Sequence, residues 1–115
     1  MKKEPIVFLT HIMECIELIE DYTKGVKKAA FDDDIKLQDA IIRRIEIIGE
    51  ASKNIPLQTK KRYTQVDWRK MSGMRDVLIH QYYGVRLDDA WDTVQNSIPQ
   101  LKKQIQKIIA ELQKK

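Results

Sequence analysis

Residues 34–56, DIKLQDAIIRRIEIIGEASKNIP, carry the pattern that decides the fold. Aliphatic residues recur along this stretch at steps of three, four or seven: Leu37, Ile41, Ile45, Ile48 and Ile55. Such spacing is that of one face of an α-helix. The acidic residues 32–34 are suited to cap the start of this helix, and Pro56 is expected to end it.

The apolar face of this helix is unusually wide. Ile42 and Ile47 fall off the main stripe, one on each side of it. An apolar arc of that width requires two neighbouring surfaces. They could be two helices of the same chain or a second protomer, and the pattern leaves both alternatives open.

Helical periodicity continues on both sides of this stretch. The first helix has one apolar face that points inward, and it is expected to end near Gly25. In the last helix the apolar pattern keeps its phase across Pro99, so we predict one bent helix and not two separate ones. The first face comprises Leu9, Ile12, Ile16 and Ile19, and the last comprises Leu87, Trp91, Val94, Ile98, Leu101, Ile105, Ile108 and Leu112. We predict an all-α protein, an antiparallel four- to five-helix bundle in a single domain over residues 1–115.

Composition narrows the class of protein. The 115 residues include only 4 Gly and 3 Pro, and 33% are charged, which argues against a β-sandwich and against disorder. Cys15 is the only cysteine, so the chain has no internal disulfide, and with two histidines it cannot supply a four-ligand zinc site. The apolar stretch of residues 5–13 is too short to span a bilayer. A cytoplasmic protein with no membrane association and no cofactor is expected.

Two basic segments accompany a formal net charge of +4. The first segment contains Lys60, Lys61 and Arg62, directly before Tyr63. The second is a set of lysines in the last helix, at positions 102, 103, 107, 114 and 115. The commoner role of such residues is a solvated face, and the alternative is electrostatic guidance of RNA. The charge permits binding to nucleic acid without requiring it.

Polar chemistry is concentrated in residues 74–83, MRDVLIHQYY, on a helix that Asp67 is expected to cap. Asp76 and His80 are four residues apart, so they share a helix face and the carboxylate can orient the imidazole. Arg75 and His80 lie about 140° apart around the helix axis. Arginine binds phosphate and histidine transfers protons near neutral pH, a pair suited to metal-free RNA cleavage through the 2′-hydroxyl. The simpler interpretation is a surface arginine and a histidine hydrogen-bonded to Asp76.

Residues 68–82, WRKMSGMRDVLIHQY, resemble the signature of the HEPN superfamily in its HepT-like branch. The most specific part is R-x4-H-x-Y, which Arg75, His80 and Tyr82 fill. Segments 38–51, 85–91 and 98–101 are also similar, so the resemblance covers nearly the whole chain. It implies a single HEPN helical domain that forms a C2 homodimer, with the two motifs meeting in a cleft between protomers.

The resemblance also implies a function. Members of this branch are ribonuclease toxins of type VII-like toxin–antitoxin pairs, whose antitoxin is an MntA-like minimal nucleotidyltransferase that transfers AMP onto the motif tyrosine. By resemblance, His80 is the general base or acid, Arg75 binds phosphate, and Asp76 orients them. Tyr82 is the AMP acceptor, and no metal is involved. The expected partners are RNA, the antitoxin and a second copy of the chain.

Two other functions fit the same residues. The chain could be a non-catalytic helical module that docks a nucleotidyltransferase partner, with Tyr82 as the acceptor. It could also be a structural adaptor in which Asp76 and His80 form a buried hydrogen bond. Outside the motif, His11 is expected to be a surface helix residue and Cys15 a small hydrophobic residue.

Overall fold

The computed structural model describes residues 4–80 and 87–114, and for residues 75–80 it describes the backbone. Within these ranges the chain is all-α, as predicted, and contains no strand. The helices are α1 (Pro5–Thr23), α2 (Lys28–Asp32), α3 (Ile35–Lys53), α4 (Leu57–Arg62), α5 (Trp68–His80), α6 (Leu87–Asp92) and α7 (Ile98–Gln113), with a π-helical turn, Thr93–Ser97, between the last two.

Helix α3 lies at the centre of the bundle. It packs against both α1 and α5, and α1 packs in turn against α7. The stripe predicted for α3 forms the core, where Ile41, Ile45 and Ile48 are buried, while Ile42 and Ile47 are partly buried beside it. Two helices of the same chain therefore supply the neighbours that the wide apolar face requires.

The boundaries of α3 agree with the prediction at one end and differ at the other. The Asp34 carboxylate accepts a hydrogen bond from the Leu37 N–H at 3.0 Å, which confirms the acidic cap. The helix ends at Lys53, three residues before Pro56. Asn54 explains the early end, because its side chain donates to the Glu50 carbonyl at 3.0 Å and so satisfies a carbonyl of the last turn.

Helix α2 was not predicted from the sequence. It has five residues, and its only buried one is Phe31, whose ring centroid lies 4.9 Å from that of Trp91. The buried Gln38 amide donates to the carbonyls of Phe31 and Asp32 at 2.9 and 3.0 Å. Contacts with α3 and α6, rather than periodicity within α2, hold the short helix.

The chain stays helical from Leu87 to Gln113, so Pro99 does not divide it. The Ile98 N–H bonds to the carbonyl of Thr93, five residues earlier, which is the π-type hydrogen bond. Proline has no N–H to continue the ladder, and the widened turn directly before it absorbs the loss. Val94 in this turn and Ile98 and Leu101 after it are buried as predicted, whereas Leu87 and Trp91 before it are partly buried.

Helices α1 and α7 run antiparallel. Lys102, near the start of α7, forms an ion pair with Glu20, near the end of α1, at 2.8 Å. Gly25 follows α1 with φ +72°, a left-handed conformation that glycine adopts readily, and the helix ends there as predicted. Within the described ranges, no helix is long and apolar enough to cross a membrane.

Candidate functional site

The first half of α5 is firmly attached to the bundle. The Asp67 carboxylate accepts a hydrogen bond from the Lys70 N–H at 3.0 Å, which confirms the predicted cap. Trp68 is buried, and its indole N–H donates to the Tyr63 carbonyl at 2.9 Å. Met71 is buried one turn later. The helix that carries the candidate motif therefore has a defined starting point and orientation.

The predicted catalytic residues belong to the second half of the same helix. Arg75, Asp76 and His80 lie within α5, where the structure describes the backbone, and Tyr82 lies outside the described residues. Because α5 is helical through His80, Asp76 and His80 are separated by about one turn. Their roles stay predictions.

One face of α5 is open. Arg69 is exposed, and a side-chain carbon added at Gly73 would meet no atom of the described residues within 4 Å. At about 100° per residue, positions 69, 73, 76 and 80 fall within roughly 60° of one another. Positions 76 and 80 therefore continue a face that no described residue covers at Gly73. By the same count, position 75 falls on the side of the helix that carries the buried residues Trp68 and Met71.

The sequence contained a signal for this face that the motif alone does not give. The spacing from Arg69 to Gly73, Asp76 and His80 is that of one helix stripe, but Arg69 and Gly73 were not among the predicted site residues. A glycine in mid-helix lowers helix stability, so its presence there is informative.

A groove of about 390 Å³ adjoins this face, between α5 and the π-helical turn. Its lining residues are Ile45, Lys70, Gly73, Met74, Asp89, Asp92, Thr93 and Ser97. The charges are mixed, with one lysine and two aspartates, so this groove alone does not select an anion. The π-helical turn borders the open face at Gly73.

The remaining candidates have structural explanations. His11 is exposed on α1, as expected. Cys15 is only 3% exposed, and burial raises the pKa of its thiol, which disfavours the nucleophilic thiolate. Of the acidic residues 32–34, Asp34 caps α3 and Asp32 forms an ion pair with Lys28 at 2.9 Å. Among the described residues, no group of three or more His, Cys, Asp or Glu side chains is arranged to hold a metal ion.

Comparison with known proteins gives consistent matches. A family model described as "Ribonuclease HepT-like" matches residues 12–108. A "Probable ribonuclease HepT" of Thermococcus cleftensis is 46% identical over 108 residues, which are 94% of this chain and 98% of that protein. A "Putative RNase" of Caldanaerobacter subterraneus is 39% identical over 107 residues, 93% of this chain and 96% of its own.

A longer relative also matches. The "Gamma-glutamylcyclotransferase and putative RNase" of Methanocaldococcus jannaschii is 48% identical over 114 residues. These residues are 99% of this chain and 51% of that protein, so the chain spans about half the length of this relative. No solved structure matches the chain.

Proposed function

The chain belongs to the HepT-like ribonuclease family, and from this premise we propose that it is a metal-independent endoribonuclease that uses Arg75 and His80. The observation that carries the proposal is the open face of α5. Positions 76 and 80 continue the face that is exposed at Arg69 and unobstructed at Gly73. RNA needs such a face to reach the imidazole.

The proposed reaction is an intramolecular displacement within the RNA. The 2′-oxygen attacks the adjacent phosphorus, and its proton passes to the neutral His80 imidazole. The bond from phosphorus to the 5′-oxygen breaks, and that oxygen takes up a proton. The products are a 2′,3′-cyclic phosphate and a 5′-hydroxyl. Arg75 would stabilise the charge on the phosphoryl oxygens, and Asp76 would favour the required imidazole tautomer.

A C2 homodimer would complete this site. Positions 75 and 80 lie about 140° apart around α5, so two facing copies of the helix would bring an arginine and a histidine to one phosphate more easily than a single helix would. A two-fold axis beside the helix would bring His80 close to the partner's Arg75, and the second His80 could protonate the leaving oxygen. The apolar width of α3 does not support the dimer, because helices of the same chain cover α3.

Regulation by a nucleotidyltransferase antitoxin forms the last part of the proposal. AMP transfer to Tyr82, two residues after His80, would add a negative charge and a bulky nucleoside beside the catalytic pair. The charge would repel RNA phosphates, and the adenosine would fill the space that the substrate needs. An RNA substrate and a nucleotide-using partner imply action in the cytoplasm.

Incubation of the purified protein with transfer RNA and messenger RNA in EDTA tests the proposal, with His80→Ala as the inactive variant and a DNA strand as the control substrate. We expect the wild type alone to cleave, and only RNA, because DNA has no 2′-hydroxyl. Cleavage by His80→Ala at the wild-type rate would refute the role of His80, and loss of activity in EDTA would indicate a metal requirement. If neither protein cleaves, AMP transfer to Tyr82 would favour the docking module.

A further inference from the structure

A second groove, the α4–α7 groove, joins the two basic segments of the sequence. It has a volume of about 500 Å³ and lies between the end of α4 and α7. Its lining residues are Arg62, Tyr63, Gln65, Lys103, Gln104, Lys107 and Glu111. The Gln104 side chain donates to the Gln65 carbonyl at 2.9 Å and ties the two walls together. Three cations and one carboxylate thus line a single depression.

The three cations share the groove with Glu111 but form no close ion pair within the described part of the chain. Lys102, next to the groove, forms an ion pair with Glu20 at 2.8 Å. In contrast, Arg62, Lys103 and Lys107 form no ion pair with any described residue. Arg62 lies over the Tyr63 ring, 5.3 Å from its centroid. Their charges are therefore available to an anion.

The Tyr63 hydroxyl provides an independent indication of a ligand. Tyr63 is 4% exposed, and its hydroxyl oxygen is buried with no hydrogen-bond partner among the described residues. Buried polar atoms normally have a partner, and an unsatisfied one calls for an explanation. Burial raises the pKa of Tyr63, and hydrogen bonding toward the Glu111 carboxylate raises it further, so the hydroxyl keeps its proton and a ligand would compete with Glu111 for this donor.

We propose that the α4–α7 groove binds the phosphates of an RNA strand, through Arg62, Lys103, Lys107 and the Tyr63 hydroxyl. This inference rests on the proposed ribonuclease function and adds a second RNA contact to it. Phosphate oxygens accept hydrogen bonds from cationic side chains and from hydroxyls alike. Glu111, at the edge of the groove, opposes the anion and weakens its binding.

The position of the groove predicts how long the RNA must be. The Tyr63 carbonyl bonds to Trp68, so the groove adjoins the start of α5. The 12 steps from Trp68 to His80 cover about 18 Å at 1.5 Å per residue. At an axial rise of roughly 3.4 Å per nucleotide of a stacked strand, that distance corresponds to about five nucleotides. Shorter RNA would reach His80 without reaching the groove.

Counterion release gives the size of the effect. Each phosphate contact to a single strand contributes about 0.7 to the slope of log affinity against log salt. Removing three contacts should lower this slope by about 2 and, relative to 1 M salt, weaken binding at 0.15 M salt by about 50-fold. The expected loss of affinity applies if the three cations contact phosphates directly. If only the net charge of the protein mattered, removing three cations would weaken RNA binding by the same factor at any position on the surface.

The test compares two triple variants of equal charge, both in the His80→Ala background so that RNA is not cleaved. The groove variant combines Arg62→Gln, Lys103→Gln and Lys107→Gln. The control variant carries Lys→Gln changes at three exposed lysines that do not line the groove, Lys24, Lys27 and Lys36. Fluorescence anisotropy with a labelled single-stranded RNA of about 20 nucleotides gives the affinity at several salt concentrations, and circular dichroism verifies that both variants are folded.

Two single variants separate the hydroxyl from the cations. Tyr63→Phe removes a hydroxyl that has no hydrogen-bond partner among the described residues, so thermal stability should not fall, while RNA affinity should fall about fivefold through loss of one hydrogen bond. Glu111→Gln should tighten RNA binding. A Tyr63→Phe variant that binds as the parent does would contradict the role of the hydroxyl.

The proposal predicts that the groove variant loses about 50-fold in affinity and the control variant much less. Equal losses in the two triple variants, or no loss in the groove variant, would overturn it. A groove variant that keeps RNA affinity but no longer binds the antitoxin would also overturn it, in favour of a protein-binding site. Because binding is measured without His80, failure of the ribonuclease proposal would appear separately, as cleavage by His80→Ala.

Discussion

Replacing Gly73 tests both the stability of α5 and the use of its open face. Gly73 is an interior residue of α5, which extends from Trp68 to His80. A side-chain carbon at this position would meet nothing within 4 Å among the described residues, so alanine is expected to fit there without a clash and without new packing. The effect of Gly73→Ala therefore reduces to helix propensity and to the entropy of the unfolded chain.

The expected gain follows directly. Alanine is favoured over glycine by about 1 kcal/mol in a helix interior. An unfolding entropy of about 2.1 cal/mol/K per residue gives roughly 0.24 kcal/mol/K for 115 residues. Gly73→Ala should thus raise the free energy of unfolding by about 1 kcal/mol and the melting temperature by about 4 °C. Ala110→Gly, at an exposed position of α7, is the matched reverse change and should lower both quantities.

A second substitution adds the functional test. Leucine has nearly the helix propensity of alanine, so Gly73→Leu should fold with similar stability, but it places a large side chain on the face that Asp76 and His80 continue. RNA cleavage should then fall much more in Gly73→Leu than in Gly73→Ala. The assays are urea and thermal denaturation followed by circular dichroism, together with kcat/KM on one RNA substrate.

Two outcomes would refute this reasoning. If Gly73→Ala destabilises the protein, another surface packs against Gly73 in solution and the face is not open. If Gly73→Leu is folded and cleaves RNA as the wild type does, neither the substrate nor a partner protomer uses this face. The second result would also remove the observation on which the proposed function rests.

Three further predictions concern the motif and the buried thiol. Arg75→Lys should abolish RNA cleavage, because an ammonium cannot present two donors in the planar fork of a guanidinium, and cleavage at the wild-type rate would contradict that role. Tyr82→Phe should remain active but no longer accept AMP from the antitoxin, and persistent labelling measured by mass spectrometry would mean that another residue is the acceptor. Burial raises the pKa of Cys15, so the native state retains the thiol proton longer than the unfolded chain does, and stability should decline above about pH 8.5. Urea midpoints between about pH 7.5 and 9.5 should show a smaller decline for Cys15→Val, and equal declines would contradict the assignment.

Sequence periodicity predicted the long helices because each has enough turns to define an apolar face. The stripe of α3 forms the core, and the caps at Asp34 and Asp67 form as expected. Helix α2 escaped prediction for a physical reason. A five-residue helix has too few turns for a pattern, and the contacts of its Phe31 come from Gln38 and Trp91, which belong to other elements.

The candidate site, like the fold, could be predicted from the sequence only in part. Local spacing was sufficient to predict that Asp76 and His80 share a helix face, because residues on one helix face are related by sequence alone. It could not show that the face is open at Gly73, since that depends on which helices leave it uncovered. Helix geometry alone also separates position 75 from position 80 by about 140°. Local spacing therefore does not explain how the two residues would act on one phosphate.

The α4–α7 groove depends entirely on tertiary structure. Tyr63 and Lys107 are 44 positions apart, and in the sequence each basic segment has the composition of an ordinary solvated face. Packing brings them together around a buried hydroxyl that has no hydrogen-bond partner among the described residues. Arg62, Lys103 and Lys107 are themselves exposed, so the cost of gathering them is their mutual repulsion, which water and salt screen in part. A bound phosphate would offset this repulsion and would also offer the buried hydroxyl an acceptor.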